Sequence, residues 1–262
     1  MDLGISGRIA FVAGGSKGMG FAAARFLAAE GCKVALVARE RDAIDHAVGA
    51  INALGGTAFG VSADLATEAG VKHAAAAVRD ALGRPDICIS QTRSRKLGRF
   101  FDHKPEVFQE AFASLAMHVV WLARELLPDM RANRWGRFVH VGTTAAKEAV
   151  SDIPHIVMNT VAPSIMGFLK SLSDEFAGEG ITFNSVGPGW CNTKAMEQLM
   201  IELGRQRDGL DQWLSETTFI PAGRSGTPDE LGSMIAYLCS DLAGYCTGEW
   251  ITVDGGRHRA TL

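Results

Sequence analysis

The run Gly14-Gly15-Ser16-Lys17-Gly18-Met19-Gly20 carries the clearest chemical signal in the sequence. Gly14, Gly18 and Gly20 give the spacing GxxxGxG. A β-rich apolar run, Arg8–Ala13, leads into it, and an alanine-rich segment of helical period follows. Glycine in such a turn permits positive φ and lets the backbone come close to a pyrophosphate. The helix start then offers free N–H groups and a partial positive charge to phosphate. In this strand–turn–helix setting the turn reads as a dinucleotide site contacted by Gly14, Ser16, Lys17, Gly18, Met19 and Gly20. The competing reading is a turn whose glycines serve packing alone.

The second strand candidate ends at Ala38-Arg39. A carboxylate there would hydrogen-bond the ribose of NAD, whereas a cation suits the 2′-phosphate of NADP. Arg39 and Lys17 together, with no acid at position 38 or 39, favour NADP(H). Asp64, followed by Leu65, comes after the third strand candidate. Asp64 could contact adenine or cap the helix beginning near Thr67.

These residues need a scaffold, and the chain supplies one. Short β-rich apolar runs occur at 8–13, 33–38, 58–62, 86–90, 137–141, 182–186 and 250–253. Near-continuous apolar character fits parallel strands covered on both faces. Helical segments are expected at 17–30, 40–54, 68–82, 105–132, 163–178, 194–216 and 228–240. The alternation predicts an α/β fold: one Rossmann-type, doubly wound domain over 1–262, with a seven-stranded parallel sheet and helices on both faces. The irregular stretches 91–104, 142–162 and 187–193 each follow a strand, where ligands bind in such sheets.

Composition excludes several alternatives. A net charge of −3, without a concentrated basic face, argues against nucleic acid. Five cysteines, none at CxxC spacing, argue against a metal site or disulfide framework and for a reducing compartment. The start runs directly into a strand, so no signal peptide is expected. The apolar segment 111–127 is interrupted by His118, Arg124 and Glu125 and reads as a buried helix. A cytoplasmic protein without membrane contact is the expectation.

With these pieces in order, the chain resembles the short-chain dehydrogenases/reductases over essentially its whole length. It is especially similar to the 3-oxoacyl-carrier-protein reductase-like branch. The resemblance rests on the GxxxGxG turn, Asp64, Leu127-Pro128-Asp129-Met130, Trp135-Gly136-Arg137, Gly180-Ile181-Thr182-Phe183-Asn184, Pro188-Gly189 with Thr193, and the ending Thr247 to Gly256. It implies that Pro188 and Gly189 shape the loop over the nicotinamide and that Thr193 binds its carboxamide or a phosphate. It also implies a homo-dimer or homo-tetramer through helices 105–132 and 163–178.

The family's catalytic pair is absent. Its members use Tyr-xxx-Lys, in which the lysine lowers the pKa of a proton-donating tyrosine. Here the tyrosines are Tyr237 and Tyr245, followed four positions later by Asp241 and Glu249. Anchored on Gly167-Phe168-Leu169-Lys170-Ser171-Leu172, the tyrosine position falls on Met158 and the lysine position on Ala162. A thioether has no proton to give. Pro163 follows, would break a backbone bond in mid-helix and is tolerated in a first helical turn, so the helix is expected to start near it, leaving 142–162 as a remodelled loop. The family's serine is best matched by Thr143, and its asparagine falls near Ser114 or Leu115. Its Asn-Asn-Ala-Gly reads Ser90-Gln91-Thr92-Arg93.

The candidate catalytic residues are Thr143, whose hydroxyl survives at the serine position, and His155 and Lys147 as replacements for the lost acid, with Glu148, His118 and His140 also in view. The competing reading of His155 and Lys147 is as solvated surface groups. His140 alternates with Val139 and Val141 and reads as a packed core histidine, as does His118 on its apolar helix. Arg93, Arg95, Lys96 and Arg99 stand close together at the ligand end of the fourth strand. They could take an anionic small-molecule substrate through guanidinium forks, with Trp190 also placed against substrate, or form a solvated basic loop. The leading expectation is an NADP(H)-dependent oxidoreductase of a carbonyl or alcohol with a non-standard site. The alternatives are a lyase, hydratase or hydrolase on the same scaffold, or an inactive nucleotide-binding partner subunit.

Overall fold

The computed structural model describes residues 2–91, 96–202, 204 and 220–261. Seven strands were expected, and seven form among the described residues: β1 (Ile9–Ala13), β2 (Lys33–Ala38), β3 (Thr57–Ser62), β4 (Ile87–Gln91), β5 (Gly136–Val141), β6 (Ile181–Pro188) and β7 (Trp250–Val253). They make one sheet in the order β3-β2-β1-β4-β5-β6-β7, with every neighbouring pair parallel. Strand order reverses between β1 and β4. A crevice therefore opens at the carboxyl ends of these two strands.

Helices cover both faces, which is why the central strands can be apolar throughout; every residue of β5 and β6 is buried. On one side lies α1 (Gly18–Ala29), whose Ala23, Ala24 and Leu27 share a core with Leu231 and Ile235 of the Pro228–Leu238 helix. α2 (Arg41–Ala53) lies on the same side at the edge, with Ala47 and Ile51 in that core, and on the other side are α3 (Glu68–Leu82), α4 (Pro105–Ala111), α5 (Met117–Asn133) and α6 (Ile156–Phe176). Val78, Leu122, Leu126, Val161 and Ile165 close the core beneath α3, α5 and α6. Thr67 caps α3 by accepting from Gly70 N (3.1 Å), so the capping role weighed for Asp64 belongs to Thr67.

Two helical expectations are corrected. The segment 105–132 is not one regular helix: a π-turn at Phe112–Ala116 joins α4 to α5. More consequentially, α6 starts at Ile156 and not near Pro163, which sits inside it. Pro163 lies on the exposed face, while Val157, Met158, Val161 and Ala162 are buried on the other. Burial of that stripe outweighs the one backbone hydrogen bond the ring removes. Asn159 adds an anchor: its side chain donates to Val150 O (2.9 Å) and accepts from Val150 N (3.0 Å), tying the preceding loop to the first turns. Of the segment expected at 194–216, α7 covers Lys194–Glu202, and most of the rest lies outside the described residues. The Pro228–Leu238 helix, α8, opens on a Thr227–Glu230 capping box.

Candidate active site

The turn between β1 and α1 has the geometry of a phosphate cradle. Gly14 adopts φ +67°, and a Cβ on Gly20 would lie 2.5 Å from Gly14 O. The backbone there packs too tightly for any side chain. Lys17 is the N-cap of α1, but its side chain does not fold back onto the helix. The first N–H groups of α1 are thus left to an external acceptor, as a bound phosphate requires.

Two pockets flank this turn, and Gln91 at the end of β4 lines both. A Cβ at Gly14 would meet Gln91 Oε1 at 3.0 Å, so the glutamine stands directly against the cradle. The wider pocket, about 420 Å³, is lined by Gly14, Ser16, Lys17, Arg39, Glu40, Asp64, Leu65, Ser114, Leu115 and His118 among others. Asp64 is exposed, and its carboxylate accepts from Ala66 N (3.1 Å). The ammonium of Lys17 is not free: it pairs with the Glu40 carboxylate.

The second pocket, about 180 Å³, lies under the loops after β5 and β6. Met19, Thr143, His155, Met158, Pro188, Gly189, Trp190 and Thr193 line it, with Cys191, Met196 and Leu199. Thr143 Oγ1 accepts from Ala145 N (3.3 Å), which leaves the hydroxyl proton for an external acceptor. His155 is the N-cap residue of α6 and is held by the backbone bond from Gly98 N to Pro154 O (2.8 Å). Gly18 meets the same region: its Cβ would lie 3.6 Å from Thr193 Cγ2.

The structure thus gathers Thr143, His155, Trp190, Pro188, Gly189 and Thr193 around one cavity, with Met158 in the wall. Ala162 is buried one turn further along α6. Lys147 is exposed and not among the lining residues. Neither tyrosine lines the cavity; Tyr237 and Tyr245 are both exposed. Arg93 and Arg95 lie outside the described residues, and Lys96 of the same basic run pairs with Glu110 (2.5 Å).

The remaining titratable candidates are structural. His140 is fully buried with Nδ1 2.9 Å from Ser90 Oγ, and burial, aided by His118, pushes its pKa down to about 3. Burial likewise lowers His118, whose Nδ1 faces Leu65 O at 3.1 Å. Cys191 faces the cavity, but burial and then Glu230 push its thiol up to about 12, so it remains protonated and a poor nucleophile.

Sequence reasoning passed over Gln91, Glu40 and Arg257 as site residues. Gln91 and Glu40 sit where strands end, which is the one signal that marks them. Arg257, described below, carries no local signal.

A doubly wound sheet with a glycine cradle at its switch point defines a Rossmann-type dinucleotide-binding protein. Comparison with known proteins agrees. Residues 13–258 match the family described as enoyl-(acyl carrier protein) reductase. The short-chain reductase protein NovJ of Streptomyces niveus is 30% identical over 252 residues, covering 95% of this chain and 93% of that protein. L-Sorbose reductase from Gluconobacter frateurii, solved with NADPH and L-sorbose, superposes with a TM-score of 0.91 at 31% identity over 99% of this chain and 100% of that one. An NADPH-bound short-chain oxidoreductase from Pseudomonas aeruginosa PAO1 with an atypical catalytic center gives 0.89 at 25% identity, covering 97% and 98%. The chain belongs to the short-chain dehydrogenase/reductase family, in its 3-oxoacyl-(acyl carrier protein) reductase-like branch.

Proposed function

We propose that this protein is an NADP(H)-dependent reductase of a carbonyl compound in which Thr143 and His155 replace the family's catalytic tyrosine and lysine. The observation that carries the reading is that both side chains line the cavity beside Pro188, Gly189 and Thr193, in a wall where Met158 can donate no proton. The solved relatives support the cofactor, since sorbose reductase and the P. aeruginosa oxidoreductase hold NADPH.

The cradle at Gly14–Gly20 fits the pyrophosphate, and Arg39 with Lys17 fits the 2′-phosphate. Asp64 and Leu65 face the adenine. When bound, the nicotinamide supplies hydride to the carbonyl carbon. Thr143 donates its hydroxyl proton as a hydrogen bond to the carbonyl oxygen and so orients it. The His155 ring, when protonated, would pass a proton to that oxygen as the alkoxide forms and regain one from water. Pro188, Gly189 and Thr193 hold the nicotinamide against the cavity, and Trp190 with the methionines excludes water from it. Phe112 and Met117, exposed on the α4–α5 face, suit packing against a second copy.

The test is a panel of carbonyl compounds with NADPH, following loss of the reduced cofactor's absorbance. Turnover that falls by about a hundredfold in H155A and T143A is expected. NADPH binding without oxidation of any compound would overturn the reading in favour of an inactive partner subunit. Turnover indifferent to NADPH would place the chain among lyases, hydratases or hydrolases.

A further inference from the structure

The chain's last described residues fold back over the cavity instead of leaving the domain. After β7, Gly189 N donates to Val253 O (3.0 Å), and a Cβ on Gly189 would lie 2.7 Å from Asp254 Cα. Ala222 N donates to Gly255 O (3.0 Å). Arg259 N donates to Glu148 Oε2 (2.6 Å). Three loops around the cavity therefore meet on one short strand end: 142–155, 189–193 and the chain at 220–222.

Arg257 is the fastener. Its Nη2 pairs with Asp152 Oδ2 at 2.7 Å, and the two side chains are only 14% and 12% exposed. Its Nη1 donates to Thr144 Oγ1 (3.3 Å). Its guanidinium lies 5.7 Å from the ring centroid of Trp190. Thr144 adjoins Thr143, and Asp152 lies three residues before His155. One planar fork thus grips both ends of the loop that carries the two proposed reacting groups, and faces the aromatic wall of the cavity. Lysine could not replace it, because a single ammonium cannot reach both oxygens in fixed geometry.

We infer that Arg257 is a positioning residue that, through Asp152, Thr144 and Trp190, holds the loop 142–155 in place against the cavity. The inference rests on the reading of that cavity as the reaction site. The Arg257–Asp152 pair is largely buried, so removing one partner leaves an uncompensated charge and loosens the loop.

Amide hydrogen exchange on the full chain tests it in wild type, R257A, R257K and D152N. Exchange over residues 143–153 is expected to rise by about tenfold or more in R257A and D152N. Exchange over 14–20 and the dissociation constant for NADPH stay within about twofold. With a carbonyl substrate from the panel, kcat falls about tenfold while the KM for NADPH holds. Added guanidinium ion restores R257A but not D152N. R257K recovers little.

Unchanged exchange over 143–153 in both R257A and D152N would overturn the inference, whether or not any carbonyl is reduced. If R257A fails to fold, its NADPH binding is lost as well, and D152N carries the test. Raised exchange together with a silent substrate panel would sink the reductase reading and leave the positioning role standing.

Discussion

The ammonium of Lys17 is ion-paired with the carboxylate of Glu40 at the wide pocket that Arg39 also lines. Lys17 must leave this partner to meet a phosphate. An exposed pair is worth little, about 0–1 kcal/mol, and a doubly charged phosphate beside Arg39 competes well against it. Glu40 would nonetheless repel a phosphate bound there. E40Q is therefore expected to tighten NADPH by about threefold and leave NADH nearly unchanged, and K17A to weaken NADPH. Titration by cofactor fluorescence reads both. Equal shifts for the two cofactors in E40Q would refute the antagonism.

Gly20 allows no side chain, because its Cβ would stand 2.5 Å from Gly14 O. G20A forces the turn open and moves the N–H groups of α1 off the phosphate. NADPH affinity should drop by more than about tenfold, with thermal stability lowered only modestly. Retention of wild-type affinity in a folded G20A would show that the cradle does not bind the pyrophosphate.

His140 makes stability depend on acid. Its pKa is about 3 in the fold, against 6.5 for the ordinary group. The unfolded chain binds the proton more readily, so the contribution is complete above about 6.5 and is lost as pH falls through that window towards 3. Each unit of pH there removes up to about 1.4 kcal/mol per proton. His118 is shifted in the same direction. Urea midpoints measured between pH 7 and 5 should decline, and the decline should be shallower in H140N. An equal slope in H140N would remove His140 as the source.

Pro163 costs α6 a backbone bond in its interior, and its ring is exposed, with no core packing to lose. P163A restores the amide and a good helix former. Stability should rise by about 1–3 kcal/mol, seen as a higher thermal midpoint. A lower midpoint would mean that the ring contributes contacts that outweigh the bond.

Much of the architecture was legible in the amino-acid sequence. β2 and β7 fall on the expected residues, and the other strands lie within a few residues of theirs, because buried parallel strands need unbroken apolar runs. The glycine cradle was legible for a similar reason: backbone geometry at Gly14 and Gly20 admits one residue type. The motif residue Arg137 proved to be a brace. It is buried and donates to Ser240 O (3.0 Å) and Gly180 O (3.2 Å), tying β5 to the residue that leads into β6 and to the chain before β7. α6 was misjudged because proline's local cost is visible in sequence, whereas the buried stripe that outweighs it is visible only after folding.

The sequence alone determined the alternation of strands and helices, the dinucleotide turn and the absence of a Tyr-xxx-Lys pair, since each depends on residues close together along the chain. Only the tertiary structure decided which distant residues share a cavity. It set Thr143 and His155 in one wall, left Lys147 outside, gave Lys17 to Glu40, and returned Arg257 from the far end of the chain to Asp152. Those pairings depend on how the loops converge at the carboxyl edge of the sheet, and that convergence is set by the packing of the sheet and helices, which no local pattern encodes.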